Sequence, residues 1–233
     1  MTQARTPLLD ESRILETLTR LRDRIQRRFP GSGLGRVTDD LVTIAQDTTT
    51  LVASLGRPNW PIRAAVWLTI GAVIVVLVTL AATLRMPSGI NGLAGAVQTA
   101  ESLTNDLVFL GIAMYFLTSL EDRFKRKRAL AALYRLRSIA HIVDMHQLTK
   151  DPEQIAEKAA NEDISGDRAL TQAELGRYLD YSSDLLSIIA KLAALHIQHF
   201  NDAVTLAAVN ELEALCTGLS GKIWQKITLL DRT

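Results

Sequence analysis

The sequence predicts an all-α fold: a two-pass transmembrane helical hairpin, preceded by an N-terminal cytosolic helical hairpin and followed by a C-terminal cytosolic helical-bundle domain. Three observations carry this. Residues 64–84 run for 21 positions without a charge between Arg63 and Arg85. At about 1.5 Å per residue such a helix covers roughly 31 Å, the thickness of a bilayer's hydrocarbon core. A second apolar run, 107–120, is followed at once by a flank with five basic residues in the six positions 123–128, the pattern of a cytoplasmic boundary. The rest of the chain is rich in Ala, Leu, Arg and Ile and poor in Pro, which favours helices and leaves strands no alternating runs.

Taken in order, residues 1–56 form the N-terminal hairpin. In its first helix Ile14, Leu18, Leu21 and Ile25 recur at helical steps, and Pro30-Gly31-Ser32-Gly33 makes a turn. In its second, Leu34, Val37, Leu41, Ile44, Thr48, Leu51 and Leu55 keep a 3–4 rhythm, the narrow seam of a coiled coil. That seam closes the hairpin, pairs with another protomer, or packs on the tail domain. Self-association is therefore assigned to Leu34, Val37, Leu41, Ile44, Leu51 and Leu55.

The membrane domain covers 57–128. Its first span is about 64–84, its outer loop about 85–99 and its second span about 100–120, with a basic flank at 121–128. The 14 apolar residues of 107–120 are too few to cross alone, so a crossing of about 20 residues starts near Ala100. Trp60 suits the headgroup belt. Arg63, Arg123, Lys125, Arg126, Lys127 and Arg128 suit a cytosolic face bearing anionic lipid, each charge contributing about 1 kcal/mol near the surface. The alternative is that the acidic tail folds back onto this cluster. No apolar leader precedes the first span, which makes it an uncleaved anchor. Basic residues flank both spans while the connection is nearly neutral, so both termini lie on the cytoplasmic side of a bacterial-type inner membrane. Beyond Gly111 the second span continues without Pro or Gly to residue 147.

The tail, 129–233, is acidic: residues 138–233 carry a net charge of −6 against +5 for 121–137. That and the membrane-proximal position of the basic run exclude nucleic acid as a partner. Asp151-Pro152-Glu153 opens one helix, Thr171-Gln172-Ala173-Glu174 forms a capping box that opens another to about Phe200, and Asn201-Asp202 starts a third that runs to Gly218 and onward to Leu230. The one cysteine, Cys216, allows no intrachain disulfide.

Several polar sets are candidate sites. Gln98, Glu101, Asn105 and Asp106 stand at the outer end of the second span, where an oligomer would ring a cation pore with them. His141 with Asp144, and His196 with His199, are spaced three apart and offer ligands for zinc or iron if two helices bring them together. Asp163, Ser165, Asp167, Thr171 and Glu174 occupy positions 1, 3, 5, 9 and 12 of a twelve-residue segment that resembles the calcium loop of EF-hand proteins, with Arg168 in place of its turn glycine.

No nucleophile elbow, Walker loop, dinucleotide glycine pattern or zincin motif occurs, so no enzymatic activity and no cofactor is expected. The reading is a non-enzymatic inner-membrane scaffold or signalling protein that self-associates and recruits a cytosolic protein. The alternatives are an oligomeric ion channel or membrane-permeabilising effector lined by the second span, and a metal- or calcium-sensing regulator. The two-span layout resembles that of some bacterial defence effectors in architecture alone.

Overall fold

The structure, a computed structural model, describes residues 8–58, 60–84, 104–105, 108–112, 114–117, 119–148 and 170–230; the side chains of Ile62, Leu77, Leu80, residues 81–84 and His199 lie outside the described set. Among the described residues the regular elements are all helical: α1 (Glu11–Arg28), α2 (Gly33–Leu55), α3 (Trp60–Leu84), α4 (Leu120–Leu148), α5 (Gln172–His199) and α6 (Ala203–Leu230). The chain divides into two compact units, one made of residues 1–56 and 126–233, the other of residues 57–125.

The first unit is a bundle. α1 starts where Asp10 caps it, its carboxylate accepting from the N–H groups of Ser12 (3.0 Å) and Arg13 (3.2 Å). It buries the expected Ile14, Leu18, Leu21 and Ile25. The chain then reverses at Gly31, whose φ of 72° lies in the left-handed region that favours glycine. Ser32 caps α2 by accepting from Gly35 N–H at 3.1 Å.

α2 departs from the narrow seam. Leu34, Val37, Leu41, Ile44, Thr48 and Leu55 are buried, and so are Gly35, Thr38, Val42, Ala45 and Val52. A helix buried over so wide an arc is enclosed by several neighbours. α1 and α5 both pack on it. Leu133, Leu136, Ile139, Ala140 and Val143 of α4 belong to the same hydrophobic cluster. The residues assigned to self-association are thus spent on the chain's own core, with Leu51 half-buried. The expected division between 1–56 and 129–233 is replaced by one shared core.

α5 is the central element, packing on α1, α2 and α6. The expected capping box opens it: Glu174 N–H donates to Thr171 Oγ1 (3.3 Å) and Thr171 N–H donates to Glu174 Oε2 (3.0 Å). Phe29, just after α1, meets the Tyr178 ring edge-on at 5.6 Å between centroids. α6 runs unbroken through Gly218 and Gly221.

In the second unit, α3 is apolar on every side. Trp67, Leu68, Val75, Val76 and Val78 are more than 60% exposed, whereas Ile70 is buried. Helical backbone recurs at 108–112 and 114–117. Ser119, in a turn just before α4, donates its N–H to Tyr115 O (3.2 Å) and accepts from Arg123 N–H (3.1 Å). Among the described residues no helix is long and apolar enough to cross a membrane. In α3 the uninterrupted stretch of described side chains ends at Val76, short of the expected span's end at Leu84; the outer loop at 85–99 lies outside the described residues.

Truncating Leu41, fully buried in α2, removes core packing. Leu41→Ala is expected to lower unfolding stability by about 2–5 kcal/mol, as large-to-small core changes do. Chemical denaturation in mild detergent measures it, and the loss should not vary with protein concentration. A loss that vanishes as concentration rises would move Leu41 to an interface between copies.

Candidate functional site

The basic flank is the most polar region with defined geometry, and much of its charge is answered inside the chain. Glu121, 8% exposed, takes Arg63 Nε at 2.7 Å and Lys125 Nζ at 3.0 Å. Arg123 lies over the Phe116 ring, 4.5 Å from its centroid. Arg126 grips Asp202: Nε reaches both carboxylate oxygens at 3.0 Å and Nη2 reaches Oδ1 at 2.5 Å. Lys127 and Arg128 are exposed, as is Trp60. The set expected to meet lipid as open charge is therefore partly neutralised, and the fold-back of the acidic tail holds for Arg126.

Asp202 does two jobs. It caps α6, its Oδ2 accepting from Thr205 N–H (2.9 Å) and Thr205 Oγ1 (3.0 Å), while it anchors α4 through Arg126. Burial pushes its pKa up, but Arg126 and the Thr205 donors outweigh that and hold the carboxyl below its usual range. Further along, Arg135 pairs with Asp47 of α2 (3.0 Å) and Arg137 with Glu211 of α6 (3.4 Å). At the other end of α4, Lys226 Nζ donates to the Gln147 carbonyl at 3.2 Å, placing a cation at a helix C-terminus.

The histidine set is not assembled as expected. His141 is exposed on α4, whereas His196 is fully buried in α5. Asp144 accepts from the Gln147 amide at 2.6 Å. His199's side chain lies outside the described set. His146 instead lies against Gly33 at the start of α2, so closely that a Cβ there would collide with its ring. Among the described residues no three His, Cys, Asp or Glu are grouped to hold a metal ion. Asp163, Ser165 and Asp167 lie outside the described residues, and Thr171 and Glu174 serve as a helix cap. Of the pore candidates, Gln98, Glu101 and Asp106 also lie outside; Asn105 is exposed on helical backbone.

Two features escaped the sequence. His196 sits wholly inside the core, its Nδ1–H shared between the carbonyls of Leu192 (3.2 Å) and Ala193 (3.3 Å) and its Nε2 without a hydrogen-bond partner. Burial lowers its pKa despite those two bonds. A groove of about 380 Å³ also opens between α1 and α5, lined by Arg13, Ile14, Leu21, Arg24, Asp184 and Lys191 among others. Helical periodicity marks His196 only as an inward position, and nothing local marks the groove. Cys216 is inert as a nucleophile near neutral pH, because burial and then Glu213 push its thiol up to about 11. No protein-family model, curated protein or solved structure matches this chain.

Two pH effects follow. A depressed His196 pKa means that the unfolded chain takes the proton first, so stability is full above about pH 6.5 and falls as pH drops through that value. His196→Leu should flatten this slope in urea titrations at pH 7 and 5; an unchanged slope would clear His196. Asp202, whose pKa is also lowered, contributes stability above about pH 4 that is lost on further acidification. Asp202→Ala should cost about 0.5–2 kcal/mol at pH 7 through its cap alone, and more because Arg126 loses its partner.

Proposed function

We propose that this chain is a non-enzymatic, two-pass inner-membrane scaffold, with spans at about 64–84 and 100–120 and a helical bundle held at the cytoplasmic face to dock a partner protein. The observation that carries the reading is the shared core of residues 1–56 and 126–230. A single hydrophobic core cannot straddle a bilayer, so any crossings between residues 57 and 125 are even in number. The uncharged run 64–84 and the apolar run 107–120 supply two. Support also comes from the Arg63–Glu121 pair, which joins the first turn of α3 to the start of α4. The large apolar side chains left open on α3, and Phe109, Ile112 and Tyr115 after it, form the kind of surface that water does not tolerate uncovered.

Docking does not use the α2 seam in this reading, because that seam is buried. Tyr134, Met145 and Leu148 on α4 and Trp224 on α6, each 60% exposed or more, are the surfaces left for it. The channel alternative rests on Gln98, Glu101, Asn105 and Asp106, of which only Asn105 belongs to the described residues.

The reading is tested by extraction and by cysteine labelling in intact cells. The protein should stay with membranes in alkaline carbonate. Ser88→Cys should react with an impermeant maleimide, and Thr50→Cys only after permeabilisation; native Cys216 is buried and should react slowly. Release by carbonate, or labelling of Thr50→Cys in intact cells, defeats the proposal. Ion flux from liposomes that disappears in Glu101→Ala would turn it to the channel.

A further inference from the structure

α1 and α5 run antiparallel. At one end the Leu9 backbone and the Gln198 side-chain amide exchange two hydrogen bonds, N–H to Oε1 at 2.8 Å and Nε2 to O at 3.3 Å. At the other end Phe29 meets Tyr178. The groove between them extends from Arg13 to Arg24, about 16 Å of helix. Its floor is apolar: Ile14, Leu21 and Ile188 are 7%, 2% and 5% exposed. Its rim is graded in charge. The antiparallel run sets Arg24 toward the end with Asp184; burial raises that carboxyl's pKa, Arg24 and then Lys191 offset the rise in part, and Asp180 adds to it. Toward the Leu9–Gln198 end stand Arg13, Thr17, Ser187 and Lys191. There Lys191 Nζ donates to the Ser187 hydroxyl at 2.5 Å, while among the described residues Arg13 pairs with the solvent-facing Asp10 at 3.3 Å.

We infer that this groove binds an anionic single-chain amphiphile, with a carboxylate or phosphate head between Arg13 and Lys191 and an alkyl chain along Ile14, Leu21 and Ile188. The two cations select the head by charge, and the Ser187 hydroxyl, which accepts from Lys191, keeps its own O–H to donate, whereas the Thr17 O–H is spent on the Arg13 carbonyl. The apolar floor rewards a tail that a free inorganic anion lacks. The volume, about 380 Å³, falls within the range of roughly 300–1,000 Å³ usual for small-molecule sites. A docked peptide helix would need a longer trough. The inference concerns the bundle alone and does not rest on the membrane reading.

The test titrates full-length protein, in phosphatidylcholine nanodiscs, with octyl phosphate, octanol and inorganic phosphate. Isotope-labelled isoleucine methyls of Ile14 and Ile188 report the groove, and empty discs correct for partitioning. Octyl phosphate should shift both methyls saturably, at least tenfold more tightly than octanol or phosphate. Arg13→Gln with Lys191→Gln should weaken it at least tenfold, whereas Arg20→Gln with Arg27→Gln, of equal charge change and outside the groove, should not. Equal shifts with octanol, equal weakening by the control pair, or no shift at all would overturn the inference. The same shifts produced by anionic bilayer lipid without any octyl phosphate would overturn the single-chain assignment. If the chain proves to need no bilayer, the titration runs unchanged in buffer, so failure of one proposal does not decide the other.

Discussion

Everything in this protein depends on one packing fact: a core built from two stretches of chain separated by about seventy residues. α2 carries apolar side chains around too much of its circumference to be satisfied by α1 alone, and α5 likewise. Each therefore needs neighbours that come from beyond the interruption. A core with such long-range closure pays a loop-closure entropy that grows only slowly with the length of the excursion, so a long insertion is tolerable. What the excursion may not do is end on the wrong side of any barrier it meets.

The polar contacts show how the two stretches are held in register. Hydrophobic packing is weakly directional, and parallel helices can slide by a turn at modest cost. Arg126–Asp202, Arg135–Asp47 and Arg137–Glu211 sit along α4 at intervals and reach α6, α2 and α6 in turn. The Arg135–Asp47 and Arg137–Glu211 pairs are largely exposed and contribute little stability. Arg126–Asp202 differs, because Asp202 is only 10% exposed at its side chain and its carboxylate also caps α6. A slip of one turn would break the cap and the ion pair together. Glu121 does the equivalent work in the other unit, receiving one cation from α3 and one from its own helix.

How much of this was legible in the sequence follows from the range of each interaction. Local chemistry was: the Thr171–Glu174 box, the Pro30–Gly33 turn and the α1 stripe all fall where residue type and spacing put them. The buried face of α2 was legible as buried, but periodicity says which side of a helix avoids water, not what covers it. The buried face of α2 is wider than a 3–4 seam, since Gly35, Thr38 and Ala45 are small or polar and do not announce themselves as core. Arg126 reads as a surface charge because its partner is 76 residues away. The same distance problem separates His141 from His196, which lie on helices whose relative rotation no local pattern sets. The groove between α1 and α5 arises only from the two helices together.

Among the described residues the buried polar atoms without partners, Thr48 Oγ1, Gln147 Oε1 and His196 Nε2, argue that the core is not tuned for maximal stability. Each costs on the order of 1–3 kcal/mol relative to a satisfied group. They are not clustered in sequence, one standing on each of α2, α4 and α5. Gln147 and His196 each keep one other bond, from the Gln147 amide to Asp144 and from the imidazole to its own helix, which an apolar replacement would also remove. The imidazole stands apart from the other two, since it alone can exchange its cost for a charge. In the neutral form it tolerates the core with one nitrogen satisfied by its own helix; protonated, it places an unpaired cation among Leu192, Leu195 and their neighbours. The central helix of the bundle therefore carries a buried group whose protonation works against its own burial, at the element on which α1, α2 and α6 all pack.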